Sequence, residues 1–224
     1  MGVYSCTLPA DWDGEWHDSS DTTQDITITR SNNYVVGWGV IVYISPITSW
    51  TCVDGDTTNN LLLFKSNQTA DVFGAPHDIY RCIKWEKLTE YSYSYLIYAI
   101  IDSSAQNKRV LILATYTVAD TSSGCNPSNG IPSAIETVVL VKKAGGVAYC
   151  AYSISVGSNY YVTVVNADST VDFSHSFRFT CYAVKSFGGL VYASDNKGMC
   201  LPNQDPQTKS ATGTGTLTFS AFSM

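Results

Sequence analysis

Apolar and polar positions alternate with a period of two along most of this chain. Asp25 to Arg30 puts Ile26 and Ile28 on one face, and Tyr91 to Ile101 puts Tyr91, Tyr93, Tyr95, Ile97, Ala99 and Ile101 on one face. Such alternation predicts half-buried strands, because successive side chains in a strand point to opposite faces. Further strands are predicted at 109–118, 136–142, 147–154, 160–165, 177–184 and 214–222. The long apolar stretch Tyr34 to Ile44 is interrupted by Gly37 and Gly39, which predicts a bulge or bend. Turn clusters such as "DGDTTNN" and "SDNKG" separate the segments. No window shows sustained helical periodicity; only Glu86 to Glu90, "EKLTE", is expected to make one helical turn. The expected fold is all-β, an antiparallel barrel or sandwich.

Seven cysteines stand at 6, 52, 82, 125, 150, 181 and 200, with no C-x-x-C among them, which argues against zinc ribbons and thioredoxin-type sites. Cys52 to Cys82 spans 30 positions and Cys150 to Cys181 spans 31. These spacings raise the expectation of two tandem β units, each closed by one bridge, with Cys6, Cys125 and Cys200 left over. The breaker-rich segment 119–133 would then connect a unit over 1–118 to one over 134–224, although the two could pack as a single domain.

Composition moves the picture outside the cell. The chain is 45% hydrophobic, 14% charged, carries fifteen tyrosines and has a net charge of −6. Without a basic cluster, nucleic acid is not an expected partner, and no apolar run reaches the ~18 residues that a spanning helix needs. Insertion into a membrane is likewise not expected. Widely spaced cysteines in a Ser/Thr/Tyr-rich chain suit an oxidising compartment, and Asn67-Gln68-Thr69 is a glycosylation sequon. "MGVYSC" has no apolar h-region and is read as the start of a mature chain preceded by Met1.

The stretch "CTLPADWDGEW" holds Gly14-x-Trp16 ahead of the first alternating segment, and this resembles the G-x-W signature of lipocalins and other calycins. The chain departs from that family in having no arginine after Arg178 and no T-D-Y motif. A wider match is C-x-x-P-x-x-W-x-G-x-W (Cys6, Pro9, Trp12, Gly14, Trp16), followed by Trp50-x-Cys52, Tyr80-Arg81-Cys82-Ile83 and "YSYSYLIY". It resembles the cysteine-rich secreted domain of unknown function found, often in tandem, in invertebrate extracellular proteins. The resemblance covers roughly residues 6–118 and reaches the second half only through cysteine spacing. It implies a β-rich secreted fold and brings no established chemistry.

Candidate chemistry is sparse. No G-x-S-x-G, H-E-x-x-H, P-loop or Rossmann fingerprint occurs. His17, His77 and His175 are the only histidines, hence the only histidine acid/base candidates. Asp11, Asp13 and Glu15 would share a face on an extended segment and could approach a hard cation. Asp54, Asp56, Thr58 and Asn60 copy part of an EF-hand spacing, but Asn59 replaces its glycine and Lys65 its bidentate glutamate, so a polar turn is expected. No metal site is assigned. The expected function is non-enzymatic binding, of a small apolar or aromatic ligand in a β-barrel pocket or of an extracellular protein or glycan on a Tyr/Trp face. Trp16, Trp38, Tyr91, Tyr93 and Tyr95 are the expected contact residues. Alternatives are a structural or adhesive module, disulfide-linked into oligomers through the odd cysteine, and an oxidative enzyme or photoprotein acting on a bound chromophore. No cofactor is identified from sequence.

Overall fold

A computed structural model describes residues 6–143, 150–166 and 178–220, apart from the side chains of Thr22, Cys150 and Ala151. The fold is all-β. Strands β1 (Gly14–Asp18), β2 (Asp21–Thr29), β3 (Tyr34–Val42), β4 (Ser45–Asp56), β5 (Leu61–Val72), β6 (Ala75–Thr89) and β7 (Ser92–Tyr98) follow one another along one sheet. Two short strands, β8 (Ile101–Asp102) and β9 (Lys108–Arg109), pair with each other, and β10 (Leu111–Ala114) pairs with β6. Strand β11 (Val138–Lys142) lies between β1 and β7, and β6 pairs with β7, so the sheet closes into an eight-stranded antiparallel barrel. A five-stranded meander follows: β12 (Cys150–Val156), β13 (Asn159–Val165), β14 (Phe179–Phe187), β15 (Leu190–Lys197) and β16 (Thr216–Ser220). Glu86 to Thr89 continue β6; the helical turn expected there does not form, and Glu90 belongs to the turn into β7.

By their contacts the residues fall into two compact units, one of 1–16, 24–86 and 95–132, the other of 17–23, 87–94 and 133–224. The chain's last crossing, between Pro132 and Ser133, lies in the breaker-rich segment.

In the first unit the strands bend at three register shifts, in β3, β4 and β5. Between Val36↔Ser49 and Val40↔Ile47, the three residues Gly37, Trp38 and Gly39 oppose Thr48 alone. Gly37 sits at φ 109°, and a Cβ there would lie 2.7 Å from the Ile26 Cγ2, so only glycine fits. The bulge takes its carbonyls out of the ladder, and buried carbonyls need donors. Each finds a side chain: Trp50 Nε1 donates to Gly37 O (3.2 Å), Arg81 Nη1 to Trp38 O (3.1 Å) and Lys108 Nζ to Gly39 O (2.7 Å). The freed amides opposite are met as well, since Thr48 and Ser49 N–H both donate to Gln68 Oε1. In β5, Ser66 to Gln68 oppose Ile79, whose N–H donates to Ser66 Oγ. The sequon residue Asn67 sits in this second bulge with an exposed side chain, its Oδ1 accepting from Thr51 Oγ1.

Both faces of β5 and β6 are covered. On one face Phe64 pairs with Arg81; on the other Leu63, Tyr80 and Cys82 pack with Ala119 and Cys125. The second unit holds two further clusters, Val139, Val141, Val165 and Phe179, and Ile135, Tyr161, Cys181, Ala183 and Cys200.

Disulfides join Cys6–Cys52, Cys82–Cys125 and Cys181–Cys200. The expected closures Cys52–Cys82 and Cys150–Cys181 are not formed. Cys52 lies opposite Phe64, which lies opposite Arg81, while Cys82 lies opposite Leu63. Cys52 and Cys82 therefore face opposite sides of the sheet with β5 between them, and their sulfurs cannot meet. Cys181 is taken by Cys200, and the side chain of Cys150 lies outside the described residues.

Non-reducing peptide mapping is expected to recover these three bridges, and a Cys52–Cys82 peptide would contradict the register. Replacing Cys82 and Cys125 by serine opens a span of 43 residues and is expected to cost about 4 kcal/mol, against about 3 for the 19-residue Cys181–Cys200 span. A second pair of variants tests the bulge. Arg81→Met removes a charge-assisted bond to a buried carbonyl and a stack on Trp50, and should cost about 2–4 kcal/mol in urea unfolding. Lys108→Met, at a half-buried site, should cost about 1 kcal/mol. Equal losses would contradict a role for burial.

Candidate functional site

The opening stretch builds one wall of a cleft in the first unit. Pro9 leads into a single 3-10 turn, Ala10–Trp12, after which Asp13 turns extended into β1. Trp16 is fully buried and its Nε1 donates to Trp12 O (2.7 Å), so the two tryptophans flank this turn. Trp12, also fully buried, packs edge-on against Trp85, ring centroids 5.9 Å apart. Long-range bonds hold the segment: Asn33 Nδ2 donates to Cys6 O, Arg30 Nε to Leu8 O, and Asp13 accepts from Arg30 N–H at 2.8 Å. The Cys6–Cys52 bridge staples it to β4.

Between this segment, the β4–β5 turn and the end of β6 lies a cleft of about 340 Å³. Leu8, Pro9, Leu62 and Trp85 make its apolar surface; Arg30 and Asn60 are among its polar groups. Asp56 also lines it, but its carboxylate is spent on the turn, accepting from Thr58 N–H, Asn59 N–H and the Asn59 side-chain amide. The Asn59 amide leads in holding the Asp56 carboxyl below its ordinary range. Asp54 is spent similarly, accepting from the N–H and hydroxyl of Thr121. Residues 57–60 form the polar turn expected here, while Asp54 to Asp56 are the last residues of β4. Among the described residues, no cluster of three or more His, Cys, Asp or Glu side chains is arranged to hold a metal.

The five aromatic residues expected to contact ligand lie elsewhere. Trp38 packs edge-on against Phe64 at 5.1 Å and tilted against Tyr95 at 5.7 Å, both partners in the first unit. Arg81 stacks over Trp50 at 4.8 Å. Trp16, Trp38 and Tyr95 are all at most 4% exposed, and none lines the cleft. Tyr93, in the second unit, is buried beneath the Lys87 ammonium, 5.9 Å from its ring centre, and Tyr91 is half-buried beside it in sequence. Ser92 and Ser94 are buried too, so the tyrosine strand has no solvent face over this stretch. Sequence reasoning missed Trp85. The signal for it was the break in alternation at "KWEK", where an isolated large aromatic stands between charged residues.

The histidines divide. His17, in the second unit, is 8% exposed, and Arg178 Nη1 lies 3.0 Å from its Nε2. An arginine nitrogen can only donate, so Nε2 accepts and the ring proton sits on Nδ1. His77, in the first unit, has its Nδ1 3.0 Å from Ala75 O. His175 lies outside the described residues.

A second concentration of polar groups, in the second unit, is a clasp within the fold. Asp195 accepts from Thr214 N–H, Thr214 Oγ1 and Gly215 N–H, and Asn196 Oδ1 accepts from Ser210 and Thr212 hydroxyls. Together they tie residues 210–215 to β15. Gln204 beneath donates to Cys181 O and Ser194 O. Burial works to raise the Asp195 pKa, but the Gly215 and Thr214 donors outweigh it and the carboxyl ends below its ordinary value.

No known family, curated protein or solved structure matches this chain.

Since the Asp195 pKa is lower folded than unfolded, the carboxylate stabilises the protein above the unfolded value of about 3.9, and this is lost as pH falls through the folded value. Wild type should therefore exceed Asp195→Asn in stability by a constant margin above about pH 5, with the margin closing below about pH 4. A margin independent of pH in acid unfolding titrations would contradict this.

Proposed function

We propose that this is a secreted, non-enzymatic binding protein whose ligand site is the Trp85 cleft. The observation that carries the reading is the pairing of an aromatic wall with polar groups in a cleft lying outside the packed aromatic cluster of Trp38, Phe64 and Tyr95. Three disulfides within the chain suit an oxidising, extracellular setting. Among the described residues no helix is long and apolar enough to cross a membrane. The resemblance to a cysteine-rich secreted domain agrees with that location and is kept as part of the proposal.

The cleft's chemistry favours a small ligand with one apolar face and several hydroxyls, a sugar or aryl glycoside. Trp85 offers a ring to the apolar face, while the Arg30 guanidinium donates and Asn60 both donates and accepts. No histidine is among the described residues that line the cleft, and its one carboxylate, Asp56, is engaged in its own turn. This lining supports the reading of a binding site.

The test is a titration of p-nitrophenyl glycosides and the parent monosaccharides, followed by tryptophan fluorescence. At least one member is expected to quench wild type saturably, with affinity falling by about tenfold or more in Trp85→Ala, the loss of one aromatic stack. Thermal melting of the variant checks that it folds. Absence of any response, or unchanged affinity in the folded variant, would sink the assignment of this cleft.

A further inference from the structure

Positive φ is confined to residues that tolerate it at most of the exposed turns in this chain. Asn33, Asn60 and Asn107 take such angles, as do glycines at 74, 157, 188, 189 and 198. Gln106 departs from this at φ 58°, and two exposed hairpin tips depart further by placing an aromatic residue there. The two-residue turn Tyr43-Ile44 joins β3 to β4 with Tyr43 at φ 53°, and Phe73-Gly74 joins β5 to β6 with Phe73 at φ 53°. A bulky aromatic is disfavoured in this conformation, and asparagine would serve the turn better. The side chains at these tips are nevertheless apolar and turned to solvent: Ile44 is 88% exposed and Phe73 90%, with the Tyr43 and Phe73 rings 5.3 Å apart.

Alternate hairpins of an antiparallel meander leave from opposite ends, so these two tips stand away from the β4–β5 turn that borders the Trp85 cleft. Tyr116 joins them. Thr115 N–H donates to Pro76 O, next to the Phe73-Gly74 turn, and Tyr116 follows it 89% exposed.

We propose that Tyr43, Ile44, Phe73 and Tyr116 dock the first unit onto the interfacial layer of a zwitterionic lipid surface. Three features favour lipid over a folded partner. The side chains project from turns as a small convex cluster, the Tyr43 and Phe73 rings in edge contact with each other. Their combined area is roughly 600 Å², taking aromatic side chains at about 150–250 Å² each, and a stable protein interface needs about 800 Å² per partner. Tyrosine with aliphatic neighbours is also the chemistry of the membrane–water boundary, where the ring enters the acyl edge and the hydroxyl stays with the headgroups. Charge selects the headgroup. The segments 42–46, 71–77 and 114–118 contain no lysine or arginine, and their one acid, Asp71, accepts from the Gly74 N–H at 2.7 Å. With a net charge of −6 as well, nothing here draws the tips to an anionic surface. Docking of this kind requires no span and no insertion of the strands.

The experiment is flotation of the full chain with phosphatidylcholine vesicles at about 0.1 M and about 0.5 M salt, which differ in screening length. Wild type is expected to float equally at both. A triple variant, Tyr43→Asn, Ile44→Ser and Phe73→Asn, should partition at least about tenfold more weakly, while melting no lower than wild type because asparagine accepts the turn conformation. Trp85→Ala should float like wild type, which separates this surface from the cleft. Wild type left in the lower fraction, a folded triple variant that floats equally, or flotation that needs phosphatidylserine and fails in salt would each overturn the proposal. A concentration-dependent dimer of wild type that the triple variant abolishes would overturn it in favour of a second copy.

Discussion

The first unit is organised around three carbonyls that its own curvature takes out of the sheet. Bending β3 at Gly37 to Gly39 lets the barrel wall turn, but it leaves the oxygens of 37, 38 and 39 without ladder donors. Supplying them requires Trp50 from β4, Arg81 from β6 and Lys108 from β9. A guanidinium is thereby committed to the interior, where Trp50 covers its face, and Trp38 is fixed against Phe64 and Tyr95. These rings are packed on each other at van der Waals distances. The cleft beside Trp85, built from the opening stretch, lies apart from these rings and has both aromatic and polar walls.

How much of this the sequence disclosed depends on how many faces of each strand are covered. Strand β2 was legible because Ile26 and Ile28 are buried while Asp25 and Thr27 are exposed. Strands β5 and β6 were not. Leu62, Leu63 and Phe64 are all buried, as are the six residues Asp78 to Ile83, because the segment carrying Ala119 and Cys125 packs on the second face. With both faces apolar the period of two disappears. The glycines at 37 and 39 did announce the bulge, since a backbone need leaves a local mark. Its donors left none, being far along the chain from the oxygens they serve.

The same distinction explains the cysteines. Equal spacings suggested that Cys52 and Cys82 close a unit, but spacing carries no information about which face a residue occupies. Cys52 pairs with Phe64, which pairs with Arg81, while Cys82 pairs with Leu63, and this register sets the two sulfurs on opposite sides. Each then takes a partner from irregular chain, Cys6 or Cys125, whose position no strand pattern records. The site was legible to a similar degree. "CTLPADWDGEW" stood out in the sequence and forms one wall of the cleft, yet Trp85 opposite it comes from a strand whose own alternation had been erased.

Two ends of one meander are built by different rules, and the difference argues for different occupants. Around the cleft, asparagine takes the strained turn position at Asn60, a disulfide staples the first wall, and Asn33 and Arg30 hold its backbone from a neighbouring turn. Rigid walls of that kind lower the ordering cost of binding a small ligand of defined shape. At the other end the turns themselves carry the large side chains, in a conformation that disfavours them, while the backbone beneath is held by Asp71 accepting from Gly74 N–H, Ser45 Oγ accepting from Asp71 N–H and Ser104 O accepting from Tyr43 N–H. Apolar side chains turned to solvent make a poor pocket for a defined molecule. They make a good contact with a soft interface, which conforms to them and asks for no fixed geometry.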